Sequence, residues 1–424
     1  MKKILFFVSL IFVKQVNAQV CFTHAPSVAT TGSSSERGVV SRDFNGDGKF
    51  DLAICDGYAY IALGNGNGSF GNTTTYTLSS SAQAITSADF NGDAKADLAL
   101  TEPNTGKVAI LFGSGTGTFG TATEYSVGSA PYQVIAADFN GDGFADVATA
   151  NDDGVGTVSV LLNTGTGSFS AMTHYSSTSN NSGCLSLTSS DFNKDGKLDI
   201  ASANYSGSSN NLAILLNNGN GTFAATTFYF SNNGTHTRCI FSDDFNADGN
   251  FDVGLVDDVN GNVGVLLGNG TGVFNASPIL LYAGLSPFFA VTNDFNSDGK
   301  LDIAVANESS NNVSVFLGNG LANCFDTAIN VSVGGANPYW LATADFNNDT
   351  KPDLAVADGN SSATYILLNC SVAGIEHYNS QADLLSTEYF NLLGQPVKEP
   401  DGVSVEVKTY VGGQREVRKV VRGN

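Results

Sequence analysis

The chain has 424 residues, and its 19 lysines and arginines stand against 40 aspartates and glutamates, giving a formal net charge of −21. This excess of acids argues against nucleic-acid or anionic-membrane partners, because contacts with phosphate need clustered Lys and Arg. Six cysteines occur, and no pair has the spacing of zinc ligands.

The first 18 residues have the pattern of a secretory signal peptide. Two lysines precede an apolar run over 4–13, and Val16-Asn17-Ala18 forms a small-residue cleavage site. The run is too short to span a bilayer, and no later stretch approaches that length. We therefore predict removal of residues 1–18, a secreted or cell-surface protein and no transmembrane segment.

A nine-residue segment, DFNGDGKFD at 43–51, recurs near every fiftieth residue. We call each copy an Asp loop and number its positions 1 to 9. The seven loops begin at Asp43, Asp89, Asp138, Asp191, Asp244, Asp294 and Asp345, at intervals of 46 to 53 residues. Such regularity indicates one supersecondary unit stacked seven times.

Each unit predicts four short strands, which we label a to d from the axis outward. A short alternating segment enters the Asp loop, and an apolar run such as DLAV leaves it. A second apolar run such as VSVLLN follows, and a glycine-asparagine turn leads to the last segment. No long helical periodicity occurs. We predict an all-β, seven-bladed β-propeller of four-stranded blades over 19–370.

The two ends of the repeat region complete one blade. The last unit stops after strand c at Cys370, and the mature chain begins with the missing turn and strand d, at Gln19-Val20-Cys21-Phe22. We predict that the N-terminus supplies the outer strand of the seventh blade and that Cys21 pairs with Cys370. A weaker candidate pair is Cys184 with Cys239, which leaves Cys55 with Cys324 by default.

The Asp loops offer hard oxygen donors that suit calcium. Positions 1, 3, 5 and 9 carry side-chain oxygens, and position 7 offers its backbone carbonyl. The predicted ligands are Asp43, Asn45, Asp47, Asp51, Asp89, Asn91, Asp93, Asp97, Asp138, Asn140, Asp142, Asp146, Asp191, Asn193, Asp195, Asp199, Asp244, Asn246, Asp248, Asp252, Asp294, Asn296, Asp298, Asp302, Asp345, Asn347, Asp349 and Asp353. We predict about seven Ca²⁺ ions, with magnesium as second choice.

Charge repulsion supports this prediction. Two carboxylates 4 Å apart repel by about 4 kcal/mol at an effective dielectric near 20. A bound cation or protonation must therefore relieve the repulsion within each loop. The alternative is that Asp, Asn and Gly merely make good turns, which does not explain why all four positions keep their type in seven copies. If position 6 needs a positive φ, the loops with Ala94 and Thr350 there are weaker sites.

The order of these motifs resembles that of FG-GAP, or VCBS-type, repeats, found in integrin α-subunit propellers and in many secreted bacterial proteins. DFNxDGxxD is followed by DLAV, GxVSVLLGNGxGxF and Gly-x-x-Pro at 128–131 and 284–287, and the resemblance covers about 21–370. It implies calcium on the lower face, between strands a and b, and partner contacts on the opposite face.

Residues 371–424 lack the repeat and form a separate tail. The segments 388–397, 402–407 and 415–421 resemble the C-terminal sorting domain of the bacterial type IX secretion system. The resemblance implies export by the type IX secretion machinery, often followed by removal of the tail. The alternative is a small β appendage.

Aromatic and arginine side chains precede several Asp loops at the predicted upper face. We predict a ligand patch for a sugar or peptide, and the alternative is that these rings wedge the blades together. The patch comprises Tyr132, Arg238, Phe288, Tyr339 and Trp340.

The leading functional hypothesis is a monomeric, calcium-binding, non-catalytic binding module for a glycan or protein. No G-x-S-x-G, HExxH or phosphate-loop motif occurs, and no histidine lies beside a paired acid and nucleophile. The alternative is a polysaccharide lyase or glycoside hydrolase on a calcium-stabilised propeller. A third hypothesis is a structural surface protein without a saturable ligand.

Overall fold

The computed structural model describes residues 20–32, 38–178, 182–205, 211–229, 236–320 and 324–371, together with the backbone of four strands between 384 and 421. The chain divides into two compact units, one of residues 18–373 and another that includes 374–424. The predicted signal peptide lies outside the described residues.

The first unit consists of 28 strands. In chain order they are β1 (Phe22–Ala29), β2 (Gly38–Arg42), β3 (Asp51–Asp56), β4 (Tyr58–Ala62), β5 (Thr74–Tyr76), β6 (Ile85–Ala88), β7 (Asp97–Glu102), β8 (Lys107–Leu111), β9 (Thr123–Ser126), β10 (Pro131–Ala137), β11 (Asp146–Asn151), β12 (Thr157–Leu161), β13 (Thr173–Ser176), β14 (Gly183–Ser190), β15 (Asp199–Tyr205), β16 (Leu212–Leu215), β17 (Thr227–Tyr229), β18 (Thr237–Asp243), β19 (Asp252–Asp257), β20 (Asn262–Leu266), β21 (Ile279–Tyr282), β22 (Pro287–Asn293), β23 (Asp302–Asn307), β24 (Asn312–Phe316), β25 (Ile329–Ser332), β26 (Pro338–Ala344), β27 (Asp353–Asp358) and β28 (Ala363–Asn369).

These strands form seven four-stranded antiparallel sheets, which are the blades. Blade 1 has the order β2-β3-β4-β5, blades 2 to 6 repeat that order with the following strands, and blade 7 has the order β1-β28-β27-β26. The first strand of each blade contacts that of the next, and β26 of blade 7 contacts β2 of blade 1. The ring is therefore closed, and the predicted seven-bladed propeller is confirmed. The residues that the structure describes contain no helix.

Strand b of each blade is the most buried element. In β3, β7, β11, β19, β23 and β27 all six residues are buried. Small and branched side chains alternate there, as in Asp-Leu-Ala-Val, so both faces of the strand pack against neighbouring blades. The apolar core consequently lies between blades.

The N-terminal strand closes the ring, as the sequence predicts. β1 pairs antiparallel with β28, with Phe22 opposite Asn369. Cys21 and Cys370 form a disulfide, their Cα atoms are 5.0 Å apart, and the Cys370 N–H donates to the Cys21 carbonyl oxygen.

The other two cysteine pairings are wrong. Cys184 and Cys239 are buried free thiols, and burial raises the pKa of each to about 12. They lie in separate apolar clusters, Cys184 with Val160 and Cys239 with Val305, so they cannot meet. Cys324 is also a free thiol, which removes its default pairing.

The tail contains a four-stranded antiparallel sheet of its own. Its strands are β29 (Leu384–Phe390), β30 (Pro396–Val397), β31 (Val403–Tyr410) and β32 (Arg415–Val421), in the order β30-β29-β31-β32. Part of the predicted sorting segment, 391–395, lies outside the described residues, as does 402. No described helix could cross a membrane.

Candidate metal centres and channel mouth

Each Asp loop connects strand a to strand b and is held by its own side chains. In the first loop, Asp43 Oδ1 accepts from the Gly46 N–H at 2.7 Å and Asp43 Oδ2 from the Gly48 N–H at 2.8 Å. Asn45 Oδ1 accepts from the Asp47 N–H at 2.9 Å. In the seventh loop Asn347 Oδ1 and Asp345 Oδ2 accept from the corresponding amides, while Asp345 Oδ1 accepts from the Asp349 N–H at position 5 instead of the amide at position 4. The side chains of positions 1 and 3 therefore turn inward and coil the backbone.

The ninth position is a buried carboxylate that fastens the loop to the rest of its blade. Asp51 Oδ2 accepts from the Phe44 N–H at 2.9 Å, and Asp51 Oδ1 accepts from the Gly64 N–H, beyond strand c, at 2.7 Å. The corresponding pair of bonds occurs at Asp97, Asp146, Asp199, Asp252, Asp302 and Asp353. The side chain predicted as a metal ligand thus also joins the Asp loop to the strand c to d turn.

Burial of the ninth position raises its pKa. The pKa rises to about 7 at Asp252 and Asp302, and to about 6 at Asp97, Asp146, Asp199 and Asp353. The two amide hydrogen bonds lower the pKa in part, and the carboxylates at positions 5 and 1 raise it further. Burying the charged form of the ninth carboxylate is therefore unfavourable, and the neighbouring carboxylates add a smaller repulsion.

These shifts predict that the metal-free protein loses stability as the pH rises. Between pH 4 and 7 the folded protein holds more protons on these groups than the unfolded chain does, so its unfolding free energy should fall by a few kcal/mol across that window. Urea denaturation at pH 5 and pH 7.5 in chelator-treated buffer measures this change. Asp302→Asn should show a smaller dependence on pH, and greater stability at pH 7.5 than at pH 5 would contradict the prediction.

Position 2 of each loop links one blade to the next. Its phenylalanine is buried in all seven copies and meets, edge to face, the phenylalanine at the start of the next blade's outer segment. The ring centroids are 5.5 to 6.0 Å apart in the pairs Phe44–Phe119, Phe90–Phe169, Phe139–Phe223, Phe192–Phe274, Phe245–Phe325, Phe295–Phe22 and Phe346–Phe70. This role of the phenylalanine was not predicted, although the same residue follows the first Asp in all seven loops.

Two positions of every Asp loop have a left-handed backbone. Position 4 has φ between 56° and 76°, and position 6 has φ between 62° and 88°. Ala94 and Thr350 therefore occupy a conformation that glycine adopts without strain, at φ 62° and 71°. Position 6 thus has the positive φ on which the prediction of weaker sites at these two loops depends. The weaker calcium binding itself stays a prediction.

Replacing the strained threonine should stabilise the protein. Thr350→Gly should raise the unfolding free energy by about 1 kcal/mol, because a β-branched residue in the left-handed region costs about that amount beyond glycine's larger unfolded-state entropy. Urea denaturation is the measurement. The matched control is Lys351→Gly, next to it but without a positive φ, which should destabilise. Equal effects of the two substitutions would contradict the argument.

The donor chemistry of the loops fits calcium, but its arrangement is that of a hydrogen-bonded loop. Among the described residues, which include all seven Asp loops, no three His, Cys, Asp or Glu side chains are grouped as a metal site. Carboxylate oxygens have two lone pairs each, so one amide hydrogen bond leaves capacity for a cation. Positions 1, 3, 5 and 9 would hold the metal.

A lysine at position 7 partly neutralises five of the loops. Its ammonium lies 3.1 to 3.7 Å from the fifth-position carboxylate in the pairs Lys49–Asp47, Lys95–Asp93, Lys197–Asp195, Lys300–Asp298 and Lys351–Asp349. Phe144 and Asn250 occupy this position in loops 3 and 5. These exposed ion pairs are weak, but they oppose a cation at the same oxygen.

A polar residue lies at the end of strand b in every blade, thirteen positions after the first Asp of the loop. All seven are buried. Five of them bond to the link from the preceding blade, namely Asp56, Glu102, Asn204, Asp257 and Asn307, whereas Asn151 and Asp358 bond within their own blade. Glu102 accepts from the Ser80 N–H at 3.1 Å, and Asn204 donates to the Ser177 carbonyl oxygen at 2.5 Å. The ring comprises Asp56, Glu102, Asn151, Asn204, Asp257, Asn307 and Asp358. This ring was not predicted, although its fixed distance from the first Asp of each loop is visible in the sequence.

Four of the five predicted ligand residues form one cluster at the start of strand a, the end opposite the Asp loops. The Tyr132 and Tyr339 hydroxyl oxygens are 3.2 Å apart, and Tyr339 stacks on Phe288 with centroids 3.6 Å apart. The Arg238 guanidinium carbon lies 5.3 Å from the Phe288 centroid. Tyr132 is in blade 3 and Tyr339 in blade 7, so their contact must cross the central channel. We call these four residues the channel-mouth cluster.

Arg238 is held from several sides. Its Nε donates to Asp258 Oδ2 at 2.6 Å, and its guanidinium lies over Tyr205, 4.5 Å from the ring centroid. Tyr205 stacks in turn on His236. Burial opposes the charge on Arg238, but the contact with Asp258 outweighs it and raises its pKa.

Trp340, the fifth predicted residue, lies apart from these contacts. It is 6% exposed, stacks on Phe289 at 3.9 Å, and packs in the core between blades. Its environment is that of a wedge between blades, which was the alternative for this patch. Phe288 and Tyr339 likewise stack on one another, so the two ring faces in contact are covered.

Seven four-stranded blades around a channel define the protein as a β-propeller built from Asp-loop repeats. A family model described as the FG-GAP-like repeat matches residues 43–100, 89–149, 138–202, 191–254 and 294–356, and the chain belongs to this family. A search of curated proteins found no match.

Solved structures share the fold. A chain in the crystal structure of BBS1N in complex with ARL6DN, soaked with lead, has a TM-score of 0.57 and 13% identity, over 84% of this chain and 99% of that chain. The mercury-soaked counterpart has the same TM-score and identity, over 82% of this chain and 96% of that chain. At this identity the similarity concerns the fold alone.

Proposed function

We propose that the protein is a secreted or cell-surface propeller, stabilised by calcium at its Asp loops, that serves as a non-catalytic binding module for a glycan or protein. The channel-mouth cluster is the observation that carries this proposal. It gathers hydroxyls and a guanidinium at the end of the propeller that the Asp loops leave free. BBS1N, which shares the fold, was solved in complex with ARL6DN, and this supports a protein as one possible kind of ligand.

The chemistry of the cluster favours hydrogen bonding over ring stacking. The Tyr132 and Tyr339 hydroxyls meet at the channel, and the Arg238 Nε is already bound to Asp258. A ligand would therefore contact the two hydroxyls and the remaining guanidinium N–H groups. Sugar hydroxyls and peptide carbonyls are both suitable acceptors for these donors.

Binding should depend on the channel-mouth cluster. On a glycan array and against candidate protein ligands, Arg238→Ala and Tyr339→Phe should each weaken binding about tenfold, because each removes a donor from a partly desolvated site. Tyr339→Phe keeps the ring and tests the hydroxyl alone. The matched control is Arg42→Ala, at the Asp-loop end of β2, where Arg42 donates to the Ser87 carbonyl oxygen. Equal losses in Arg42→Ala would contradict a ligand site at the cluster.

A polysaccharide lyase or glycoside hydrolase is the second candidate. The observation in its favour is that His236 stacks on Tyr205 beside Arg238, with no hydrogen-bond partner for its buried Nδ1 among the described residues. An imidazole and an arginine side by side are residue types found in catalytic sites. Release of reducing sugar that persists through purification and is lost in Arg238→Ala would establish the enzyme and overturn the binding-only proposal.

The tail and the N-terminus are proposed to direct export. Residues 1–18 act as the signal peptide, and 371–424 act through the type IX secretion machinery; the sequence resemblance and the separate sheet of β29 to β32 support this. The propeller itself is proposed to be a monomer. Intact-mass measurement of the exported protein would test both ends, and a mature chain that keeps residues 1–18 would contradict the signal peptide.

A further inference from the structure

The outer surface of blade 5 is unusually apolar. Ten large apolar side chains are exposed in the described part of the chain, and six of them lie between residues 251 and 285. Four of the six form what we call the blade 5 edge: Val259, Leu280, Tyr282 and Leu285, which are 62%, 56%, 66% and 60% exposed. Exposed apolar side chains are ordinary when scattered, but a concentration of this kind marks an interaction site.

The blade 5 edge is continuous along the open side of β21. Leu280 and Tyr282 alternate on that strand, and the turn that carries Val259 is joined to its end by the Ala283 N–H, which donates to the Gly261 carbonyl oxygen at 2.9 Å. Among the described residues, β21 is the last strand of its sheet and pairs with β20 alone. One side of its backbone is therefore available to a further strand.

Four other outer strands show how this fold protects such an edge. The exposed residues of β5, β9, β13 and β25 are Thr, Ser, His and Asn, which favour water over association. β21 reads Ile-Leu-Leu-Tyr and has no such residue. Blade 5 thus lacks the protection that its neighbours have.

A groove of about 600 Å³ runs beside β21, between it and strands β24 and β25 of blade 6. Several of its polar groups are engaged within the protein. Ser310 Oγ accepts from the Leu285 N–H at 2.7 Å, and Asn330 Oδ1 accepts from Ser314 at 2.7 Å. The remaining lining includes Phe316 and Phe325. The groove therefore favours an apolar side chain.

We propose that the blade 5 edge binds an extended, uncharged segment of a partner protein, which adds to β21 as a fifth strand and places an apolar side chain in the groove. The four side chains offer on the order of 400 Å² of surface, below the roughly 800 Å² per partner of a standard interface. A second copy, which also carries the net charge of −21, is thus a poor occupant. A single strand gains main-chain hydrogen bonds in addition to this area.

The test uses a synthetic peptide and the full chain. The probe is an uncharged, acetylated and amidated octapeptide in which valine and threonine alternate. It should slow amide hydrogen exchange at 279–282, and Leu280→Lys should weaken its binding about tenfold. Leu280 is exposed, so this substitution leaves the core intact. The matched control, Thr75→Lys on exposed β5, should leave binding unchanged.

Two results would overturn the proposal. The first is no protection of 279–282 at millimolar peptide, or equal binding of a peptide whose alternate amides are methylated, since that peptide cannot form the strand ladder. The second is a concentration-dependent dimer, seen by sedimentation, that Leu280→Lys dissociates. That outcome would assign the edge to a second copy of this chain.

Discussion

Replacing Cys21 and Cys370 together by serine should lower the unfolding free energy by about 3 to 5 kcal/mol. The disulfide joins residues 349 positions apart, so it removes a large loop-closure entropy from the unfolded chain. It also secures β1, which pairs with β28 of blade 7. Without the bond, this strand should be the first part of the ring to open.

Urea denaturation of the double variant and of the parent under oxidising conditions measures the effect. Reductant should destabilise the parent to the level of the variant and should leave the variant unchanged. Hydrogen exchange should show faster exchange first in β1 and β28 of the variant. An unchanged denaturation midpoint would mean that strand pairing and packing alone hold the ring closed.

Removal of calcium should lower the melting temperature by more than about 10 °C. Each ion bound at a hundredfold excess over its dissociation constant stabilises the folded state by about 2.7 kcal/mol, and several sites act together. The raised pKa of the ninth-position carboxylates shows where the metal-free loop carries unfavourable charge. Because Phe245 and Phe295 follow the first Asp of those loops and contact the next blade, a change in the loop reaches blade packing.

Elemental analysis of gently purified protein should find about seven calcium ions per chain, and melting should be compared with and without EDTA. The matched variant is Asp138→Asn with Asp142→Asn, which should lose one ion and a proportionate share of the stabilisation. Magnesium at the same concentration should restore less. A metal-free protein with the same melting temperature in EDTA would reject the calcium proposal and leave the Asp loops as turns.

The repeat pattern was sufficient to predict the number of blades and the closure by the N-terminus. Seven equally spaced loops required seven units, and the missing outer strand of the last unit matched the residues around Phe22. Cysteine pairing was harder to predict, because repeats align residues that lie in separate packing clusters. Cys184 and Cys239 have similar places in their blades and yet never meet.

The candidate sites could be predicted only in part, because side-chain partners depend on neighbouring blades. Asp302 is predicted from the sequence as a metal ligand, but the sequence does not reveal that its two oxygens accept from the Phe295 and Gly318 amides. The spacing before the Asp loops places Tyr132 and Tyr339 at the same level of their blades, but it does not predict their contact across the channel. Such contacts are set by rotamers and by blade rotation, which no spacing within one repeat records.

Closure by the N-terminal strand has a consequence for biosynthesis. Of the described propeller strands β1 is synthesised first, yet its partner β28 ends at Asn369, near the end of the propeller. Until β28 is made this strand lacks its pairing partner, and Phe22 cannot meet Phe295 in its final position until the ring is assembled. A chain that stalls before residue 363 thus leaves β1 and β27 without the strand that joins them, and unpaired strand edges of this kind favour aggregation.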